Sequence, residues 1–484
     1  MRSAVVFSLF SLVSLAGCPD RTIAKVNPEQ GRVEPKNIPI TPERNVDILF
    51  LIDDSNSMKD KQENLKANFK NFIDVLETIE GGLPDVHIGV VTSDLGTKGT
   101  EDSVPGPTIS GTGGCTGQGK QGNLQTFGTS LVTGNYISDI KNTDGTRTRN
   151  YTGTLTDAFS AIANAGDQGC GFEQHLEAAK RALNNNPANA GFLRPDAYLA
   201  IIFIADEDDC SFSKSALLDS NTGTLGFRSS FRCTRFGIKC DDGGADSNAM
   251  NQLGPKGSCH SNKDSQYLTK VEDYVAFFKG LKPDDPKKVI VAGIMGTSEP
   301  FEVELRAPSP GQTKVPALAH SCSYTDSRNQ LQVADPPIRI KQFLDSFPDR
   351  STFSTICQRD LSGGLTQIGQ LLKYAFGDPC IEGTLADADP NTPGAQYECS
   401  VSDVLHFGKA NQSETVLPAC NNAGAPASST NKPCWAIEVD MARCMTKLHQ
   451  ILAVERNTAP APDTHIVANC VTCADADNDG VCDM

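Results

Sequence analysis

Three oxygen-bearing side chains, Asp53, Ser55 and Ser57, stand at alternate positions in Asp53-Asp54-Ser55-Asn56-Ser57-Met58. One carboxylate and two hydroxyls so close together are hard ligands, suited to magnesium, manganese or calcium and not to a thiol-seeking metal. A second acidic group, Asp206-Glu207-Asp208-Asp209, lies far along the chain. A third sits in the last fifteen residues: Asp475, Asp477, Asp479 and Asp483 around Gly480. Alternating carboxylates with a glycine at the sharp turn are what a calcium loop needs. No catalytic arrangement accompanies them. The seven histidines (His87, His175, His260, His320, His406, His449 and His465) are scattered without metal-ligand spacing, and no histidine lies in the motif to activate Ser55 or Ser57. These residues point to a binding protein and away from an enzyme.

The elements that must position them are legible. Ile48 to Ile52 is an unbroken apolar run, as in a strand buried on both faces. It breaks into Asp53, and Leu65, Phe69, Phe72, Ile73 and Leu76 then recur at helical spacing. Further strands are expected at 85–92, 198–205, 289–295 and 352–356. Helices are expected at 155–165, 172–184, 267–281, 338–347 and 361–376. Asp206 follows the apolar run 198–205 at once, so both acidic groups leave the carboxyl ends of strands. Ligands bind at that end of open α/β sheets. The expected fold is α/β, a doubly wound, mostly parallel sheet over 46–378, interrupted by insertions near 95–150 and 210–262. The first insertion is rich in Gly, Thr and Ser, but no Gly-Lys-Ser/Thr follows a strand, so it is not a phosphate loop.

Asp53-x-Ser55-x-Ser57, after a buried strand and before a helix, resembles the metal-ion-dependent adhesion site of von Willebrand factor A domains. The resemblance covers roughly residues 45–378. It implies a Mg²⁺ or Mn²⁺ ion, with Ca²⁺ as an alternative, held by Asp53, Ser55 and Ser57, and by Asp206 through a water. It also implies a protein or other macromolecular partner that supplies an acidic side chain. The family pattern places a threonine on the loop before the helix at 172–184; this chain has Gly169-Cys170-Gly171-Phe172-Glu173-Gln174 there. Glu173 is the oxygen ligand that could substitute, and the change puts an integrin-like binding mode in doubt. Two alternatives remain open, a metal-free scaffold of the same fold and, less favoured, a metal-dependent hydrolase. The acidic tail resembles the calcium repeats of thrombospondin type 3, as a single truncated copy.

The first residues carry a targeting pattern: Arg2, an apolar stretch from Ala4 to Leu15, then Leu15-Ala16-Gly17-Cys18. The apolar stretch is too short to span a bilayer, which takes about 20 residues. Its end resembles a bacterial lipobox, which implies a leader over 1–17 and lipidation at Cys18. That expectation places the protein in the cell envelope on a lipid anchor. Pro19 after the cysteine favours the outer membrane, while Asp20 keeps the inner membrane open. Residues 18–45 read as a proline-rich tether. Of 17 cysteines, 16 remain after Cys18, an even number compatible with eight disulfides in an oxidising compartment. Residues 379–469 read as a small cysteine-rich, disulfide-supported β module, with the calcium-like tail at 470–484. Within that tail, a disulfide is expected at the Cys470 and Cys473 pair in preference to a zinc half-site. A formal net charge of −16 and a pI near 4.9 argue against nucleic acid and anionic lipid as partners.

Overall fold

The computed structural model describes residues 33–39, 44–79, 82–111, 113–387, 395–407, 409, 411–420, 432–441, 444, 446–461, 464–473 and 482. Cys18 and the acidic tail residues Asp475, Asp477, Asp479 and Asp483 lie outside them. The centre is a mixed seven-stranded sheet. Its strands are β1 (Asn45–Ile52), β2 (Asp85–Thr92), β3 (Ile137–Lys141), β4 (Arg147–Arg149), β5 (Tyr198–Ile204), β6 (Val289–Met295) and β7 (Ser351–Thr355). They lie in the order β7-β6-β5-β1-β2-β3-β4. The pairs β7/β6, β6/β5, β5/β1 and β1/β2 are parallel, whereas β2/β3 and β3/β4 are antiparallel.

Alternation along β1 explains the layers, since successive side chains of a strand point to opposite faces. Ile48, Phe50 and Ile52 pack on one face against α1 (Lys59–Glu77), α2 (Leu155–Ile162) and the last helix, α6 (Ser362–Phe376). Leu49 and Leu51 pack on the other face against α3 (His175–Leu183), α4 (Val271–Gly280) and α5 (Ile338–Asp345). Each of β1, β5 and β6 is buried along almost its whole length, which is why each reads as a continuous apolar run.

Four places depart from the sequence expectation. The first insertion supplies β3 and β4, two antiparallel strands that extend the sheet. The second insertion, expected to carry little regular structure, contains the helix Phe231–Gly237 and a hairpin of Ile238–Asp242 with Gly254–Ser261. The tether expectation fails for Val33–Pro39, an edge strand paired antiparallel with Thr464–Val471. An edge position leaves room for Pro35 and Pro39, which cannot donate to a ladder on both sides. Lastly, Cys470 and Cys473 do not join each other; Cys470 pairs with Cys399, and Cys473 with Cys482.

The sixteen cysteines after Cys18 form eight disulfides. Two of them, Cys210–Cys233 and Cys240–Cys259, lie inside the second insertion. Beyond α6 the described chain is all strand and loop. A four-stranded antiparallel sheet and the hairpin of Cys434–Val439 with Gln450–Glu455 enclose a small core around Ile381, Val401, Trp435 and Ala468.

Candidate metal centre

β1 delivers Asp53 to the carboxyl edge of the sheet. Its backbone N–H still donates to Ile204 O at 2.9 Å, so Asp53 leaves β1 beside the end of β5, two residues before Asp206. The Asp53 carboxyl group is fully buried. Oδ1 accepts from the Ser55 backbone N–H at 2.8 Å and from the Ser93 hydroxyl at 3.2 Å. Oδ2 has no hydrogen-bond partner. The turn that follows brings the Ser55 and Ser57 hydroxyl oxygens to 3.2 Å from each other. Gln62 on α1 fixes that turn, donating from Nε2 to Asp53 O at 2.9 Å and to Gly166 O at 2.8 Å. Met58 anchors the turn in the core beneath.

Asp206 faces the same point. Its Oδ2 pairs with the Lys61 ammonium at 2.8 Å, its Oδ1 is buried without a partner, and the Ser57 hydroxyl turns towards it. Burial raises the Asp206 pKa, Lys61 works against that rise, and the Asp53 charge adds to it. Lys61, 1% exposed, also donates to Ser57 O at 3.1 Å. Sequence reasoning passed over this lysine, although it occupies the position before Leu65, Phe69 and Leu76 on the inward stripe of α1. A charge on an apolar stripe was the available signal.

Glu173 comes to the same neighbourhood. It is 1% exposed, and its pKa stands well above the ordinary value because of burial first, then the charges of Glu207, Asp53 and Asp206. The loop that carries it is held tightly. Gly169 N donates to Asp54 O at 2.7 Å, and a Cβ at Gly169 would lie 2.3 Å from Asp54 Oδ1, so only glycine fits. Cys170 is bonded to Cys115, which ties the loop to the first insertion. Two residues beyond Glu173, the fully buried His175 places Nε2 3.7 Å from Asp53 Oδ2. Burial opposes a charge on this imidazole, but Asp53, with Asp209 and Asp208 behind it, raises its pKa above the ordinary value.

The run of four acids divides into two pairs. Asp208 accepts from the backbone N–H groups of Arg339 at 2.9 Å and Ile340 at 3.1 Å, capping α5. Asp209 accepts from Leu176 N at 2.9 Å at the start of α3 and pairs with the Arg339 guanidinium at 3.0 Å. Both answer free N–H groups in the first turn of a helix whose own N-cap residue, Pro337 or Gln174, makes no side-chain cap. Asp206 and Glu207 are the two that face the site.

Among the described residues, no three of His, Cys, Asp and Glu are grouped so as to hold an ion by themselves. A centre of one carboxylate, two hydroxyls and a water-bridged second carboxylate contains no such trio, whereas Glu173 added to Asp53 and Asp206 would make one, and these three are not so grouped. The donor set fits a hard cation on two observations: the orphaned oxygens Asp53 Oδ2 and Asp206 Oδ1, and the adjacent hydroxyls of Ser55 and Ser57. Lys61 and His175 are the competing features, each a cationic group already against one of those carboxylates.

No helix among the described residues is long and apolar enough to cross a membrane. No protein-family model and no curated protein matches the chain. Several solved structures are distantly similar. Proximal thread matrix protein 1 from the mussel byssus is 13% identical at a TM-score of 0.29, over 69% of this chain and 49% of that one. The pilus adhesin RrgA from Streptococcus pneumoniae is 12% identical at 0.28, over 93% and 58%. The human COPII-coat protein Sec24c is 9% identical at 0.26, over 90% and 44%. This chain thus spans about half the length of the structures it resembles, at scores too low to carry an argument about its fold or function.

Proposed function

We propose that this protein is a non-enzymatic lipoprotein of the bacterial cell envelope, anchored through Cys18. Its central region is a doubly wound von Willebrand factor A-like domain that binds a macromolecular partner through a divalent cation. Asp53, Ser55 and Ser57 hold the ion, Asp206 reaches it through a water, and Glu173 stands where the family has threonine. The ion, when bound, supplies an open coordination position for an acidic side chain of the partner. The supporting observation is the two buried carboxylate oxygens, Asp53 Oδ2 and Asp206 Oδ1, that lack hydrogen-bond partners, together with the adjacent Ser55 and Ser57 hydroxyls. Leaving such atoms unpaired costs about 1–3 kcal/mol each or more, which a bound cation removes.

Thermal melting of the full chain, with chelator and with Mg²⁺ or Mn²⁺, tests the reading. The cation raises the melting temperature by mass action, and Asp53→Ala abolishes the rise. Glu173→Ala weakens the cation response if Glu173 is a ligand and leaves it unchanged otherwise. Pull-down from envelope extracts with and without chelator then identifies the partner. A second reading is favoured by the Lys61–Asp206 pair at 2.8 Å: a metal-free scaffold in which Lys61 and His175 serve as internal cations. Melting that ignores every divalent cation selects that reading over the first.

A further inference from the structure

Beside the candidate centre lies a cavity of about 200 Å³ whose lining includes Glu173 and Glu207. That is smaller than the roughly 300–1,000 Å³ usual for a drug-sized ligand, and suits a single side chain. Phe227, Phe231, Pro316 and Leu318 contribute apolar wall. Phe227 is 41% exposed, an aromatic ring left open to solvent. The wall is preorganised by the Cys210–Cys233 disulfide, whose two sulfur-bearing residues both line the cavity.

The acidic side chains Glu173 and Glu207 of this cavity have no cation of their own among the described residues. The basic side chains of its lining already have partners: Arg306 with Glu304 at 2.8 Å and Leu318 O at 2.8 Å, and His320 with Asp335 at 2.6 Å. Glu173, although 1% exposed, has no cationic partner among the described residues; its strongest charged neighbours are Glu207, Asp53 and Asp206. Those of Glu207 are Asp335, Asp206 and Asp53, again all acids. A metal ion is a poor occupant of this space, because calcium takes six to eight oxygens and much of the wall is aromatic or aliphatic. A basic side chain meets both demands, its stem against the apolar wall and its charged head on the carboxylates.

We propose that this cavity receives a lysine or arginine side chain of the protein partner, as a second contact beside the divalent cation. The inference takes from the function proposed above only that a protein partner exists; the pocket itself works without the ion. A partner would then present an acidic and a basic residue side by side, one to the cation and one to the cavity.

The test uses the full chain in chelator, titrated with N-acetyl-lysine methylamide at millimolar concentration and followed by ligand-observed NMR. The expected result is saturable binding of the lysine probe and none of the norleucine analogue. Glu207→Gln and Glu173→Gln each weaken it about tenfold or more, as losing one partner of a buried charge pair does. Phe227→Ala, at the exposed wall, weakens it less and leaves thermal melting unchanged. No binding of the lysine probe, equal binding of norleucine, or indifference to both glutamine variants overturns the inference. Because chelator is present throughout, failure here leaves the cation reading standing. Loss of the Mg²⁺ response alone likewise leaves the basic-side-chain pocket standing.

Discussion

β1 carries a buried acid at each end, and the two have opposite surroundings. Asp47, at the amino end, is fully buried and fully answered by Arg194. The Arg194 backbone N–H donates to Oδ2 at 2.6 Å and its Nε to Oδ1 at 2.7 Å, while Nη2 closes on Val46 O and Asp85 O. Asp53, six residues on, keeps one oxygen without a hydrogen bond, its nearest cationic neighbour the His175 imidazole at 3.7 Å. Burial of a carboxylate therefore does not mark a site in this fold. The unanswered oxygen is what sets Asp53 apart from Asp47, since nearly every buried polar group in a folded protein has a partner.

This contrast can be broken most forcefully at the satisfied end. Arg194→Met leaves Asp47 buried without its main partner, and should cost about 3–5 kcal/mol in denaturant unfolding. Added Mg²⁺ should restore none of it; a restored midpoint would show that the two ends are not separate. Lys61→Met makes the same lesion at the other end and should cost about 3 kcal/mol in chelator. Here Mg²⁺ should recover a large part, because a cation can answer Asp206 where the ammonium no longer does. If both variants ignore Mg²⁺ alike, the carboxyl end is as purely structural as the amino end.

Acidity sharpens the comparison. Burial raises the pKa of Asp47, against the pull of Arg194, and that of Asp54, against Lys120, each to about 6 from 3.8. Asp206, Glu173 and Glu207 are raised as well, chiefly by burial. A carboxyl group raised in the fold holds its proton where the unfolded chain has released it. The stability it contributes is therefore present below the unfolded value and lost as pH rises through the folded one. In chelator the melting temperature should rise by roughly a few degrees as pH falls from 7 towards 5. Saturating Mg²⁺ should flatten the share owed to the carboxyl end and leave the Asp47 share. The smallest effect belongs to Asp208→Ala, which takes the acceptor from the first-turn N–H groups of α5 and should cost about 1–3 kcal/mol. It should leave the Mg²⁺ response intact, separating the capping acids from those at the site.

How much of this was readable depended on whether the signal was local. β6 was legible from Val289 to Met295 because a strand buried on both faces has an apolar residue or glycine at every place. The nearness of Asp53, Ser55, Ser57 and Asp206 to one another was legible because each group follows such a run. β3 and β4 were not. Their inward residue Asp139 is fully buried, held by Arg147 at 2.5 Å and Arg149 at 3.2 Å, so the pair is stabilised by ions where the eye looks for apolar alternation. Val33–Pro39 was hidden for another reason, since its partner lies more than four hundred residues away. The roles of Asp208 and Asp209 depended on which helices begin beside them. Only the fold reveals that.

The pairing of Val33–Pro39 with Thr464–Val471 also has a mechanical meaning. Seven registered pairs, Val33 with Val471 through Pro39 with His465, clasp the two ends of a loop that contains the whole seven-stranded sheet. Tension applied between those ends loads the clasp first and the sheet only after the clasp has parted. Because Val33 and Val471 face each other at one end of the ladder, such a pull peels its bonds one pair after another. The clasp is a fuse placed ahead of the centre that carries Asp53.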